Sequence, residues 1–176
     1  PDFILGWNNS IKMKSFSLGF LVDWREGGDL LNGVAWALSF FGRSQLTADT
    51  RVEAPAPISG VLSNGQPNNI PVVRDQYYYQ SSVGGFGSVW EQFVQDGGWL
   101  RLREVSLGYD LPLSDMGINF IKSGTASLVG RNLWYSTEYN GVDPETSLTG
   151  VGNGQGVDYF NMPSTRSVMF KLNLNL

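Results

Sequence analysis

The sequence contains no cysteine and no histidine. The first absence removes disulfides, thiolate nucleophiles and cysteine-ligated zinc. The second removes the commonest general base and the commonest metal ligand. Hydrolytic chemistry would fall to carboxylates alone. Charge is scarce as well: 16% of the 176 residues are charged, against roughly 25% in ordinary soluble domains. With a net charge of −4 there is no basic stripe to neutralise phosphates, and no nucleic-acid partner is expected. Long apolar runs are missing too. A membrane-spanning helix needs ~18 apolar residues or more, and VAWALSFFG (34–42) falls far short. The opening PDFILGWNN lacks the character of a signal peptide. A membrane role, if the chain has one, is expected to come from strands.

What is present suits strands and turns. Hydrophobic residues make up 41% of the chain and aromatics 13%, with 22 glycines and frequent Asn and Ser. The stretch IKMKSFSLGFLVDW (11–24) alternates apolar and polar residues, slips once in phase, and resumes. In a strand over Leu5–Met13, Leu5, Trp7, Ile11 and Met13 share a face, with Asn9 the exception. In a second strand over Phe16–Trp24, Phe16, Leu18, Phe20, Val22 and Trp24 do the same. A two-residue turn at Lys14-Ser15 pairs Met13 with Phe16, Ile11 with Leu18 and Trp7 with Val22. The slip is what that loop length requires for both apolar faces to coincide. Two readings follow. One is a sandwich strand pair with a buried face. The other is a lipid-facing wall, because outer-membrane strands alternate apolar-out and polar-in and carry interfacial aromatics. Trp7 and Trp24 fall near one end of the hairpin, where such a girdle belongs.

Further along, GDLLNGVAWALSFFG reads as a loop helix capped by Asp29 and ended by Gly42. Its expected face is Leu30, Val34, Ala37, Leu38 and Phe41. Asn64-Gly65 is a hairpin-turn signal. DQYYYQSS reads as a short helix capped by Asp75, and Ser88 with Glu91 forms a capping box. GGFG (84–87) is no phosphate loop, since no Lys-Ser/Thr follows. WLRLREVSLGYDLP is a strand whose alternation breaks near Arg103-Glu104, and a bulge is one solution. An arginine facing lipid at the bilayer midplane costs ~2–4 kcal/mol, so Arg101 and Arg103 are expected at the rim or turned inward. Pairing with Glu104 or with loop carboxylates is favoured there over lipid phosphates. TASLVGRNLWY is a further strand of ambiguous phase. Residues 140–162 read as a loop. In RSVMFKLNLNL, Val168, Phe170, Leu172, Leu174 and Leu176 oppose Ser167, Met169, Lys171, Asn173 and Asn175. Short and long connections alternate. In a bacterial barrel, that places Lys14-Ser15, the 112–123 segment and the C-terminus in the periplasm, and the loops near 27–97 and 136–163 outside.

The ordered set DGGWLRLREVSLGYDLP, GRNLW, YNGVDPE and a terminal amphipathic strand resembles the C-terminal end of the SusC/RagA family of TonB-dependent outer-membrane transporters. PDFILGWNNSIKMKSFSLGFLVDWREGGD resembles that family's preceding hairpin. The similarity covers most of the chain and is weakest between Arg43 and Val73. It implies an all-β fold with short loop helices: the C-terminal strands of an antiparallel, up-and-down, plugged transmembrane barrel of about 22 strands. It implies a location in the outer membrane of a Gram-negative bacterium. The implied partners are the remaining barrel and plug, a SusD-like surface lipoprotein acting as a lid, TonB through the plug, and outer-membrane lipid. No cofactor or metal and no catalysis are implied. Residues 1–176 are expected to hold about five long strands and no plug or TonB box, with Leu176 standing where the family has a terminal aromatic. Five strands leave Leu5–Met13 and Val168–Leu176 with unpaired backbone groups that hydrocarbon does not tolerate. The chain is therefore expected to be a piece of a larger barrel.

Under this reading Phe16, Leu18, Phe20, Val22, Phe170, Leu172 and Leu174 face lipid, and Lys12, Asp23, Lys171, Asn173 and Asn175 face the lumen. Tyr77, Tyr78, Tyr79, Trp90 and Trp99 are candidates for substrate or lid contact. The cargo is a glycan oligosaccharide or a peptide. The alternative is a soluble carbohydrate-binding β-sandwich using the same aromatics, with its apolar strand faces opposed across a ~10 Å core. A glycosidase built on Asp143 and Glu145 is a third reading. Two residues apart beside a proline, that pair more commonly makes turn and cap hydrogen bonds.

Overall fold

The computed structural model describes residues 1–82, 89–113, 115–117, 120–150 and 152–176. The GGFG stretch and Ser88 of the expected capping box lie outside them. In chain order the elements are β1 (Phe3–Met13), β2 (Phe16–Glu26), β3 (Asp29–Asn32), α1 (Gly33–Phe40), α2 (Gln45–Thr50), β4 (Ala56–Pro57), β5 (Pro71–Val72), β6 (Val94–Asp96), β7 (Trp99–Asp110), β8 (Ser123–Ser136), β9 (Val157–Asp158) and β10 (Ser167–Asn175). Among the described residues no helix is long and apolar enough to cross a membrane. The chain divides into two compact units. One comprises residues 1–29, 96–146 and 162–176, and the other residues 30–95 and 147–161.

The first unit is a five-stranded antiparallel meander in the order β1-β2-β7-β8-β10. The hairpin pairs Met13 with Phe16, Ile11 with Leu18 and Trp7 with Val22, the register expected from the phase slip. Its turn places Lys14 at φ +54°, a conformation that two-residue hairpin loops demand and that Gly or Asn adopts more readily. From β2 the alternation continues across the sheet. Leu18 lies beside Leu107, Leu107 beside Leu128, and Leu128 beside Phe170. Phe20, Val105, Gly130 and Val168 form the adjacent row. One face of the sheet is thus apolar from edge to edge, and most of its large side chains are exposed, Phe170 at 69%. Aromatic edges interlock along it: Phe3 against Trp24 at 5.0 Å and Trp7 against Phe20 at 5.1 Å, both T-shaped. In a sandwich Phe20 and Phe170 would oppose each other across a core. Here they project from the same face of one sheet.

β7 carries a bulge. Val22 pairs with Leu102 but Leu21 pairs with Glu104, leaving Arg103 as an extra residue. On the other side Leu102 pairs with Trp134 and Glu104 with Arg131, so β8 inserts a residue of its own near Asn132, whose φ is +49°. The bulge at Arg103 brings Leu100 and Leu102 onto the same face as Val105, Leu107 and Tyr109, which strict alternation would forbid. In β8 the extra residue leaves the alternation intact, with Leu128, Gly130 and Trp134 on one face.

The second unit has a small core of Trp36, Ala37 and Phe93, with Leu31, Ala35 and Tyr159 packed against it. The helix expected from Asp29 starts later. Residues 29–32 are drawn into the strand β3, where Leu31 pairs in parallel with Val157. Asn32 is the N-cap, its side chain accepting from the Ala35 N–H at 2.9 Å. The buried side of α1 is Gly33, Trp36, Ala37 and Ser39, while Leu38 and Phe41 are exposed. Asn64-Gly65 does turn the chain, with Gly65 at φ +79° and a bridge between Val61 and Pro67. Asp75 caps the next short helix by accepting from Tyr78 N–H at 3.0 Å, and the helix continues as a π-turn over Tyr78–Ser82.

Candidate functional site

The face of the sheet opposite the apolar one is polar. Near the turn between β1 and β2, Lys12 meets Asp110 at 2.7 Å, and Thr125 donates to the same carboxylate at 3.0 Å. Asn175 donates to Ser123 at 2.7 Å. Asp23, Lys171 and Asn173 lie on this face too. Its centre is lined by small residues. A Cβ on Gly19 would stand 2.6 Å from Ser106 Oγ, and one on Gly108 would collide with Ser17 Oγ. Strands β2 and β7 therefore present a polar strip of glycine and serine, where a larger side chain at Gly19 or Gly108 would displace a serine hydroxyl.

At the other end, where the long connections leave the sheet, the polar face carries a dense ionic cluster. The bulge turns Arg103 onto the polar face, and its guanidinium bridges two carboxylates. Nε and Nη2 donate to Asp23, and Nη1 and Nη2 donate to Glu145, both at 2.6 Å. Arg101, on the same face of β7, is 1% exposed. It donates through Nη2 to Asp143 at 2.7 Å and through Nη1 to Ser164 at 3.0 Å. Its plane lies over the Tyr135 ring at 4.9 Å. Asp143 is 2% exposed. It also accepts from Ser164 N and Oγ and, in a local turn, from Glu145 N–H at 3.0 Å. Burial by itself pushes the Asp143 carboxyl up. The Arg101 guanidinium, Ser164 and the Glu145 N–H outweigh it and hold the group down at about 2. The cluster fixes the 137–166 connection, through its Val-Asp-Pro-Glu segment, to strand β7.

This arrangement decides several expectations. Arg101 and Arg103 both lie on the polar face, away from the apolar one, and their partners are loop carboxylates together with Asp23. Glu104 pairs instead with Arg131 at 2.9 Å. Asp143 and Glu145 are each committed to an arginine, as structural anions rather than an acid and a nucleophile. Of the proposed aromatic contact residues, Tyr78, Tyr79 and Trp99 are buried, which removes them as contact surfaces. Tyr79 instead bonds Thr50 at 2.8 Å, and Trp99 stacks under Arg25 at 4.9 Å. Tyr77 and Trp90 remain exposed. Ser164 and Tyr135 were not anticipated. The available signal was the pair of arginines on one face of a wall strand, which demands nearby anions without naming them.

Comparison with known proteins agrees with the motif resemblance. No family model matches the chain. Over 99% of its length it is 30% identical to TonB-dependent receptor P3 of Formosa agariphila, and over 99% it is 28% identical to TonB-dependent receptor P26 of the same bacterium. It spans 16% and 17% of those relatives. Among solved structures, the RagAB peptide importer in its open-open state matches 98% of this chain and 17% of its own, with a TM-score of 0.61 and 19% identity. A structure of the RagAB peptide transporter matches 96% of this chain and 16% of its own, with a TM-score of 0.62 and 18% identity. The likeness to TonB-dependent receptors is thus shown along the whole chain, and the antiparallel sheet with few short helices is the fold it shares with the RagAB structures.

Proposed function

We propose that this chain, similar throughout to TonB-dependent receptors of the SusC/RagA kind, is the C-terminal wall of an outer-membrane importer in a Gram-negative bacterium. Its five long strands are part of a plugged barrel of about 22 strands closed by the rest of the protein. The apolar face meets lipid through Phe16, Leu18, Phe20, Val22, Phe170, Leu172 and Leu174. The polar face, with Lys12, Asp23, Lys171, Asn173 and Asn175, meets the lumen. The strip at Gly19 and Gly108 lets a plug approach the wall closely. The connections 27–98 and 137–166 face outward, where Tyr77 and Trp90 are available to cargo or to a SusD-like lipoprotein lid. TonB, acting through the plug, supplies the energy, and the wall itself catalyses nothing. The cargo class is an oligosaccharide or a peptide, and the RagAB likeness supports the second.

The observation that carries this reading is a single sheet with one continuous, exposed apolar face and one polar face. Cysteine placed at Phe20 or Phe170 of the full-length receptor should react with a membrane-soluble maleimide. Cysteine at Asn173 should react with a water-soluble one. Reaction of Phe20→Cys and Phe170→Cys with the water-soluble reagent alone would remove the wall from the membrane.

A further inference from the structure

We propose that the fold singles out Asn153 as a site of spontaneous covalent change, where the side-chain amide is lost as ammonia and an aspartate or isoaspartate takes its place. The chain has four Asn-Gly steps, at Asn32, Asn64, Asn140 and Asn153. Such a step can close on itself, because a glycine amide has no Cβ beside it to block attack on the preceding side chain. The structure treats the four differently, and none of this depends on the wall meeting lipid.

Three of the steps are held. Asn32 is 1% exposed and caps α1, its Oδ1 accepting from the Ala35 N–H at 2.9 Å and its Nδ2 donating to Gln95 at 3.4 Å. Asn64 is exposed, but its Oδ1 accepts from the Gln66 N–H at 3.0 Å, and the Gly65 N–H donates to the Leu62 carbonyl at 2.8 Å. The nitrogen that would attack there keeps its proton in a turn bond. Asn140 carries an interaction of its own, and the buried Tyr139 ring lies against Gly141, where any Cβ would collide with it. Attack needs the side chain free to swing back and the next amide free to lose its proton, so a bond to either raises the barrier.

Asn153 has neither restraint. Residues 152–155 are all exposed, and neither the Asn153 side chain nor the Gly154 N–H makes a hydrogen bond among the described residues. The turn is fixed at its base instead: the Leu148 N–H donates to Val157 and the Leu31 N–H to Gly156, both at 2.8 Å. The glycine suits its place, since a Cβ on Gly154 would stand 2.8 Å from Thr149 Cγ2. The reaction then needs only water. Base removes the Gly154 amide proton, and that nitrogen attacks Asn153 Cγ. The new N–C bond closes a succinimide as the Cγ–Nδ2 bond breaks, and Nδ2 leaves as ammonia after taking a proton from water. Water next adds to one of the two imide carbonyls and breaks its bond to nitrogen. Opening at Cγ gives aspartate, and opening at the main-chain carbonyl gives isoaspartate. Either product adds a negative charge to the turn, and isoaspartate also lengthens its main chain.

Peptide mapping of the full-length receptor tests this. The folded receptor in detergent is held in mildly alkaline buffer, sampled over days, and digested for fragmentation by mass spectrometry. An isoaspartyl methyltransferase, which labels isoaspartate alone, gives a second readout. Asn153 should convert about tenfold faster than Asn64 or Asn140, the effect of one hydrogen-bonded restraint on a barrier, and Asn32 should stay intact. In receptor unfolded by denaturant that lead should disappear. The methyl label should fall to background in Asn153→Gln, whose longer side chain closes a larger and less favoured ring. Conversion of Asn64 or Asn140 as fast as Asn153 in the folded receptor overturns the proposal. The same lead in unfolded receptor also overturns it, by placing the cause in the flanking residues. So does a wild-type level of methyl label in Asn153→Gln.

Discussion

Arg101 and Asp143, 42 residues apart in sequence, meet at 2.7 Å with both side chains withdrawn from solvent. One belongs to a strand of the wall and the other to the connection leaving it. The pair therefore ties a loop to the sheet at a defined point, and Ser164 closes the tie from the far end of the same loop at 3.0 Å from Arg101.

Removing one partner deprives the other of its shortest ion pair. Asp143→Ala leaves the buried Arg101 guanidinium with Glu145, 3.5 Å from Nη1, as its one carboxylate among the described residues, and breaking a buried pair costs up to about 3–5 kcal/mol. The loss should appear first as proteolytic cleavage in the 137–166 connection of the full-length receptor. The double variant Arg101→Met with Asp143→Leu should recover much of the protection, because matched apolar groups often replace a buried pair without loss. A double variant as labile as Asp143→Ala would show that the loop needs the charges themselves.

Acid should release the same loop. Asp143 is held at about 2, whereas an unconstrained Asp titrates near 3.9. A depressed carboxyl contributes stability that is full above the unfolded value and falls away as pH drops through the folded one. The connection should keep its hydrogen-exchange protection down to about pH 4 and lose it progressively towards pH 2. Asp143→Asn should flatten that dependence. An unchanged profile in the variant would assign the acid transition to other carboxylates.

The bulge makes a separate claim. Deleting Arg103 restores uninterrupted alternation along β7 but turns one half of the strand over relative to the other. Either Leu100 and Leu102 or Val105, Leu107 and Tyr109 must then face the polar side. The deletion should prevent assembly of the heat-modifiable barrel form on gels. Arg103→Gln, which keeps the extra residue and a hydrogen-bonding side chain, should assemble. Assembly of the deletion variant at wild-type yield would mean that the sheet does not depend on the bulge.

Much of this architecture was legible in the sequence, and the reason is physical. A sheet with one apolar and one polar face needs alternation residue by residue, so β1, β2 and β10 announce their faces, and the phase slip at Lys14-Ser15 gives the hairpin register. Legibility failed where alternation was broken. Arg103 shifts the phase of β7, and a shift in one strand has meaning only against its neighbour. It failed again in the second unit. There Asp29–Asn32 alternates too little to stand as a strand and becomes one through its pairing with Val157. The Tyr77-Tyr78-Tyr79 run looked like a contact surface. Whether a tyrosine is exposed depends on packing that a short helix alone does not encode, and Tyr78 and Tyr79 proved buried. The ionic cluster was half visible: Arg101 and Arg103 were known to need anions, but Asp143, Glu145 and Ser164 reach them through long-range contacts.

The two faces of β10 offer the sharpest comparison, since neighbouring positions on one strand differ only in which side they meet. Phe170 lies in the row of Leu128, Leu107 and Leu18 on the apolar face, and Asn173 lies on the polar face beside Thr125. Phe170→Arg should destabilise the full-length receptor in lipid vesicles by about 2–4 kcal/mol, the cost of a cation on a barrel's lipid side near the midplane. Asn173→Arg should lie within about 0.5 kcal/mol of wild type, as surface substitutions do. Unfolding by denaturant in vesicles measures both. The same pair in a detergent micelle should differ less, because a thin, deformable shell lets the arginine reach water. If the two substitutions cost the same in vesicles, the row through Phe170 is not wetted by hydrocarbon.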